Sequence, residues 1–103
     1  MAISDKPWSN FSPSEYDNAQ WKRACLIHMD ANSDAKADHK LPIMEPDGTV
    51  NRNAVHAAAA VLAGARGGVQ APPDQKRRAA KRLASIYHDM KEQLPDSVRR
   101  LAQ

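Results

Sequence analysis

An apolar stripe with helical spacing runs through the alanine-rich middle of the chain. Its members recur at i, i+3, i+4 and i+7, and they are Val55, Ala58, Ala59 and Leu62. Asn51 is suited to cap the start of such a helix, and Gly64 opens a glycine-containing segment suited to end it. The spacing therefore predicts a helix from Arg52 to about Ala63, and alanines also form the neighbouring face of this helix.

A second and longer stripe follows Pro72 and Pro73, which are well placed to open a helix. Its members fall inside a sector of roughly 120° at 100° per residue, and they are Ala79, Ala80, Leu83, Ile86, Tyr87, Met90 and Leu94. The pattern predicts one long helix that runs to about Gln93. Pro95 interrupts it, and residues 96–102 are predicted to form a short last helix.

The first half of the chain begins with a segment that has no periodicity. Residues 1–11 are predicted to form an extended arm, and Trp8 and Phe11 are the groups expected to anchor it. Burial of each of these aromatic side chains would contribute roughly 1.5–3 kcal/mol.

A helix start follows the arm. Ser12, Pro13 and Glu15 have the residue types of a cap, a first helical position and a capping-box carboxylate. The helix is predicted to reach Lys22 or Arg23. One side of it is then expected to carry Tyr16, Ala19 and Arg23.

Two short strands are predicted next. Residues 24–29 form an apolar run typical of a strand, and residues 40–45 form a second run in which Pro42 favours an edge position. A polar loop, residues 30–39, joins them. Pro46 and Gly48 then have the residue types of a tight turn.

Together these elements predict a mainly α fold with a small two-stranded β element, in which the alanine-rich helix packs on the long C-terminal helix. The expected organisation is an extended arm at 1–11, a single small domain at 12–94, and a short C-terminal helix or tail at 95–103. The chain has 103 residues and one cysteine, which excludes an internal disulfide framework. No apolar run approaches the ~20 residues that span a membrane, and the first ten residues lack the apolar region of a signal peptide.

Positive charge is concentrated towards the C-terminus. The first 51 residues carry a net charge of −3 and the last 32 carry +4, within a total of +3. On the long helix, Arg77, Arg78, Lys81 and Arg82 lie opposite the apolar stripe, near the end whose dipole favours anions. These four residues are candidate contacts for an anion or a nucleic acid, and the alternative is an ordinary solvated face.

The polar loop and the cysteine are the remaining candidates for chemistry. The one cluster of potential metal ligands consists of His28, Asp30, Asp34, Asp38 and His39. No helical spacing fixes the geometry of this cluster, so a polar loop without metal is expected. Cys25 lies in an apolar run, and a buried cysteine is expected there rather than a nucleophile. The sequence therefore predicts no catalytic residue, no metal and no cofactor.

Three segments carry a resemblance to a known family. They are Lys40-Leu41-Pro42-Ile43, Asp47-Gly48-Thr49-Val50-Asn51-Arg52-Asn53-Ala54-Val55-His56-Ala57-Ala58-Ala59-Ala60, and Leu62-Ala63-Gly64-Ala65-Arg66-Gly67-Gly68. With them the chain resembles a small domain of tailed phages and prophages. That domain occurs alone or joined to phage head-morphogenesis proteins, including prohead proteases. The resemblance spans roughly residues 25–87 and implies no catalytic residues.

The resemblance implies a non-enzymatic accessory protein of a phage head, acting as a decoration, cement or prohead assembly factor. Its expected partners are capsid or prohead subunits, and its expected location is the virion head or the cytoplasm of the infected bacterium. Trp8, Phe11 and Trp21 are the expected partner-binding residues. The alternative is a small nucleic-acid-binding protein that uses the basic face of the long helix.

Overall fold

The computed structural model describes residues 2–103, apart from the side chain of Arg66, which belongs to the third motif segment. Within this range the fold is mainly helical, as predicted, with two small two-stranded β elements. The helices are α1 (Asn18–Ala24), α2 (Arg52–Leu62), α3 (Pro73–Met90) and α4 (Asp96–Leu101). The strands are β1 (Ile3–Ser4), β2 (Cys25–His28), β3 (His39–Pro42) and β4 (Val50–Asn51).

Helices α2 and α3 form where the apolar stripes predict them. The four stripe residues of α2 are all buried, and so are all the α3 stripe residues up to Met90. The helix α3 ends at Met90, earlier than predicted, because Lys91 adopts a left-handed φ of 60°. Its amide then bonds to the carbonyl oxygen of His88, which closes the last turn. Leu94 lies beyond this end and packs against the core as a half-buried side chain.

The predicted helix from Ser12 to Arg23 is wrong, because Tyr16 divides it. A 3-10 turn, Pro13–Glu15, does carry the capping box around Ser12, but Tyr16 is extended with φ −103° and ψ 137°. Its side chain is buried, and its hydroxyl donates a hydrogen bond of 2.5 Å to the carbonyl oxygen of Met44. The helix α1 begins only at Asn18, under a second capping box. Ala19 and Arg23 are exposed, so the predicted face is wrong as well.

The two predicted strands pair as an antiparallel element. Cys25 lies opposite Pro42 and His28 lies opposite His39, so β3 begins one residue before the predicted start. The expected turn follows, with the amide of Gly48 bonded to the carbonyl oxygen of Glu45 at 2.9 Å. Gly48 has a φ of 91°, a value that a residue with a side chain rarely adopts.

The N-terminal arm is fixed by a strand pair that the sequence does not predict. Ile3 lies opposite Val50 in the parallel pair of β1 and β4. At the other end of the chain, α4 packs on α3 with Val98 fully buried. The core lies between α2, α3 and the β2–β3 element, and its largest fully buried aliphatic side chains are Ile27, Ile43, Val55, Leu83, Ile86 and Val98.

Candidate functional site: an apolar groove and a basic helix face

The triplet Asn51-Arg52-Asn53 holds the N-terminal arm against the domain. Asn51 is fully buried, and its side-chain oxygen accepts the amide of Ala54 at 2.9 Å, which caps α2. Its side-chain nitrogen donates to the carboxylate of Glu45 and to the carbonyl oxygen of Lys6, both at 3.0 Å. Asn53 donates to the same carbonyl oxygen at 2.9 Å. Three consecutive residues, 51–53, therefore start the helix and fix the arm.

Arg52 also forms an ionic cluster where the arm meets the domain. Its Nε donates to the carboxylate of Asp5 at 2.6 Å, and its Nη1 donates to Glu92 beyond the end of α3. His56 contacts the other oxygen of Glu92 at 2.7 Å. The contact with His56 and the hydrogen bond from Arg52 hold the pKa of Glu92 below its ordinary value. The cluster joins the arm, α2 and the segment after α3.

An apolar groove lies between the arm and α2. Its volume is about 380 Å³, and it is lined by Trp8, Leu41, Pro42 and the small side chains of α2. Ala57 and Ala60 are exposed on its floor, because alanine side chains are too short to reach the indole of Trp8 and fill the space. Leu41 adopts a left-handed φ of 62°, which is strained for a residue with a side chain.

The aromatic residues expected to bind a partner occupy two separate environments. Trp8 lines the groove and packs against Phe11 in a tilted arrangement, with ring centroids 5.7 Å apart. Trp21 instead packs edge-on against Tyr16, with centroids 5.2 Å apart. The indole N–H of Trp21 donates to the carbonyl oxygens of Lys36 and His39, so it holds the loop between β2 and β3. The structure therefore places Trp8 at the groove with Phe11 beside it, and the N–H of Trp21 makes its contacts within the domain.

The structure brings together two of the five potential metal ligands. His28 and His39 are in contact, with their Nδ1 atoms 2.7 Å apart, and His39 is buried. The second nitrogen of His39 contacts the carbonyl oxygen of Ser33, and the hydroxyl of Ser33 donates to Asp38. Among residues 2–103, no three His, Cys, Asp or Glu side chains form a group that could hold a metal ion.

Cys25 lies in the interior at the start of β2. It is 2% exposed, and burial raises the pKa of its thiol to about 12. A thiol with this pKa is almost entirely protonated near neutral pH and is a poor nucleophile. The side chain therefore behaves as a small core residue, in line with its position in an apolar run.

The four cations predicted on the outer face of α3 are all exposed there: Arg77, Arg78, Lys81 and Arg82. Lys22 and Arg82 both lie near His28, a proximity that no sequence pattern indicates. The partners of the Asn51-Arg52-Asn53 triplet likewise have no signal in the sequence around them. For the contacts of this triplet, the only local sequence signal is the capping asparagine, because Lys6, Asp5 and Glu92 are about 40 or more residues away in the chain.

No protein-family model, no curated protein and no solved structure matches this chain. Within the described residues, no helix has both the length and the apolar character needed to cross a lipid bilayer. The two candidate functional surfaces are therefore the groove and the exposed cations of α3.

Proposed function

We propose that this protein is a non-enzymatic accessory protein of a phage head, and that it binds an apolar segment of a capsid or prohead subunit in the groove beside Trp8. The observation that carries the proposal is the groove itself. It places an indole ring, a leucine, a proline and exposed alanines around a space of about 380 Å³. In this role the protein acts as a decoration, cement or assembly factor, in the head or in the infected cell.

The composition of the groove suits a protein partner. Interfaces place aromatic and aliphatic groups at the centre of the contact, and small concave sites lined by apolar side chains accept anchoring residues of a partner. Each methylene group that a partner buries there contributes about 0.8 kcal/mol. The exposed alanines also allow a partner backbone to approach α2 closely.

The groove is built by the segments that carry the phage resemblance. Leu41 and Pro42 come from the first motif segment, and Ala57 and Ala60 come from the second. The Asn51-Arg52-Asn53 triplet, also from the second segment, fixes the arm that brings Trp8 to the groove. The motif segments thus supply most of the groove lining, which supports a binding role for that surface.

The test is cosedimentation with purified heads of the phage or induced prophage that carries the gene. Ala57→Glu places a charged side chain on the floor of the groove and leaves the buried stripe of α2 unchanged. Ala19→Glu makes the same substitution at an exposed position of α1, and it serves as the matched control. We expect the groove variant to bind heads at least tenfold more weakly, and the control to bind like the wild type.

Two results would contradict the proposal. One is equal binding of the groove variant, the control variant and the wild type, which would exclude the groove as the contact. The other is the absence of the wild-type protein from heads and proheads in a gradient that retains other minor head proteins. Circular dichroism of each variant establishes that a loss of binding is not a loss of folding.

A further inference from the structure

The outer face of α3 carries positive charge that no nearby carboxylate neutralises. Within residues 2–103, none of the four exposed cations there has a carboxylate oxygen within 4 Å, whereas Arg52 and Arg99 both do. Asp74 lies one turn before Arg78, at a spacing that permits an ion pair, yet the two form none. The helix therefore presents these cations directly to solvent.

The arrangement along the helix increases the repulsion between these charges. Arg77 and Lys81 are four residues apart, and so are Arg78 and Arg82. Like charges at this spacing are neighbours on the helix surface and destabilise it. An external anion that contacts both members of a pair removes this repulsion, so the face is suited to a polyanion.

The positive surface continues from α3 to the end of β2 and to α1. Burial lowers the pKa of His28, and three neighbouring groups, His39, Lys22 and Arg82, lower it further. Lys22 and Arg82 therefore both lie near the imidazole of His28 although they belong to different helices. The carboxylate close to Lys22 is that of Asp34, 3.8 Å away and largely exposed. We call the surface formed by Lys22, His28, Arg77, Arg78, Lys81 and Arg82 the basic face.

A shallow hollow adjoins the residue that follows His28. It has a volume of about 670 Å³, and its lining includes Met29, Lys40 and Lys76. Lys40 donates to the carbonyl oxygen of Gln70 at 3.2 Å, so the hydrogen-bond partner of this lysine is a neutral group. Two further cations thus border the same end of β2.

The side chains on the basic face indicate which polyanion it fits. Between Asp74 and Ser85, the exposed positions of α3 are Asp74, Arg77, Arg78, Lys81, Arg82 and Ser85, none of which is aromatic or aliphatic. A protein interface needs an apolar centre, and binding of single-stranded nucleic acid needs aromatic rings for stacking. Contact with a duplex backbone needs neither. Three of the four cations are arginines, which bind phosphate oxygens in a bidentate manner.

We propose that the basic face binds the phosphate backbone of duplex nucleic acid without regard to sequence. This activity is separate from the groove, whose lining includes no residue of α3 or of the basic face, and it goes beyond binding to a head subunit. It gives the protein two contacts of different chemistry, one apolar and one ionic.

The test is fluorescence anisotropy with a labelled random-sequence DNA duplex of about 20 base pairs at several salt concentrations. If the four α3 cations each neutralise one phosphate, the logarithm of the association constant falls with the logarithm of salt with a slope of roughly −3 to −4. Arg78→Gln with Arg82→Gln is expected to reduce this slope by about 2 and to weaken binding roughly 30-fold near 0.15 M salt. The matched control is Lys6→Gln with Lys91→Gln, which removes the same charge from exposed positions elsewhere.

A second measurement locates the contact. Phosphate bound between Lys22 and Arg82 offsets their effect on the imidazole, so the duplex is expected to raise the pKa of His28, measured by NMR of its ring protons. Ala57→Glu is expected to bind the duplex normally, because the groove is not involved. Failure of the groove proposal and failure of this one are therefore distinguishable.

Three outcomes would overturn the proposal. The first is no detectable binding of the duplex at about 50 mM salt, where ionic contacts are strongest. The second is equal weakening by the basic-face pair and by the control pair, which would indicate net charge alone. The third is equal affinity for poly-glutamate and for the duplex, which would assign the face to an acidic protein instead.

Discussion

The imidazole rings of His28 and His39 form a direct hydrogen-bond contact between Nδ1 atoms that are 2.7 Å apart. A hydrogen bond requires one donor and one acceptor, so only one of these two nitrogens carries a proton in the contact. The other nitrogen of His39 lies 2.9 Å from the carbonyl oxygen of Ser33, which can only accept. Neutral tautomers that satisfy both contacts have His39 donating to Ser33 and His28 donating to His39.

The environment of His28 in this pair predicts that the folded protein loses stability in mild acid. Burial, above all, makes the pKa of His28 lower in the folded chain than its ordinary value of 6.5. As the pH falls below about 6.5, the unfolded chain therefore takes up a proton first, and stability is lost down to the lower pKa of the folded state. We expect the free energy of unfolding, measured with urea, to decrease more between about pH 7.5 and pH 5 in the wild type than in His28→Gln.

His88→Gln is the matched control, because His88 is exposed on α3. Its acid sensitivity is expected to equal that of the wild type. Identical pH dependence of the wild type and His28→Gln would show that protonation of His28 does not oppose folding.

Asn51 is expected to be among the most sensitive polar positions. Asn51→Ala removes the cap of α2, which costs about 1 kcal/mol, and it leaves the buried carboxylate of Glu45 without its donor. The expected loss in the free energy of unfolding is about 2–4 kcal/mol, from both effects together. Asn53→Ala, at an exposed position two residues later, is expected to lose less than about 1 kcal/mol. Equal losses in the free energy of unfolding at the two positions would show that the burial of Asn51 does not increase its contribution to stability.

Both tyrosine hydroxyls are expected to ionise at a higher pH in the folded protein than in the unfolded chain. Burial, with smaller contributions from nearby groups, raises the pKa of Tyr16 from 10.0 to about 12, and burial also raises the pKa of Tyr87. The stability that depends on the neutral phenols is therefore complete below pH 10, and the part that depends on Tyr16 is lost as the pH rises towards 12. Ultraviolet absorbance of tyrosinate checks this, because the denatured chain should titrate near pH 10 and the native chain above it. A native titration near 10 would contradict the buried positions.

The single thiol is expected to be inert in the folded protein. Cys25 is 2% exposed, and the raised pKa leaves little thiolate near pH 8. Reaction with a thiol reagent should therefore be slow in native buffer and fast in denaturant. Cys25→Ala is expected to reduce the free energy of unfolding by about 1 kcal/mol through a small cavity. Rapid labelling of the native protein would indicate that β2 opens readily.

The sequence predicts those elements whose stabilising contacts repeat along one surface. The stripes of α2 and α3 are of this kind, because residues three and four apart on a helix face the same neighbour. Asn51 and Gly64 mark the ends of α2 through local backbone chemistry, and both occupy the predicted positions. Cys25 likewise lies in the interior, as its apolar surroundings predict.

The elements that differ from the sequence prediction are those fixed by contacts between residues far apart in the chain. The helix predicted through Tyr16 has acceptable local residues, but the hydroxyl of Tyr16 bonds to a carbonyl 28 residues away and the backbone is extended there. The strand β1 has only two residues, so its pairing with β4 produces no periodic pattern in the sequence. The N–H of Trp21 is bonded to the carbonyl oxygens of Lys36 and His39, contacts that the sequence does not indicate, and its role in partner binding stays a prediction.

The parallel pairing of Ile3 with Val50 also has a consequence during synthesis. The two residues are 47 positions apart, so the arm leaves the ribosome well before the strand that it will join. At about 5–20 residues per second, Ile3 and Trp8 stay uncovered for roughly two to nine seconds, and longer while α2 forms. The nascent chain therefore exposes its most hydrophobic arm residues to chaperones, or to neighbouring nascent chains, before its own domain can bind them.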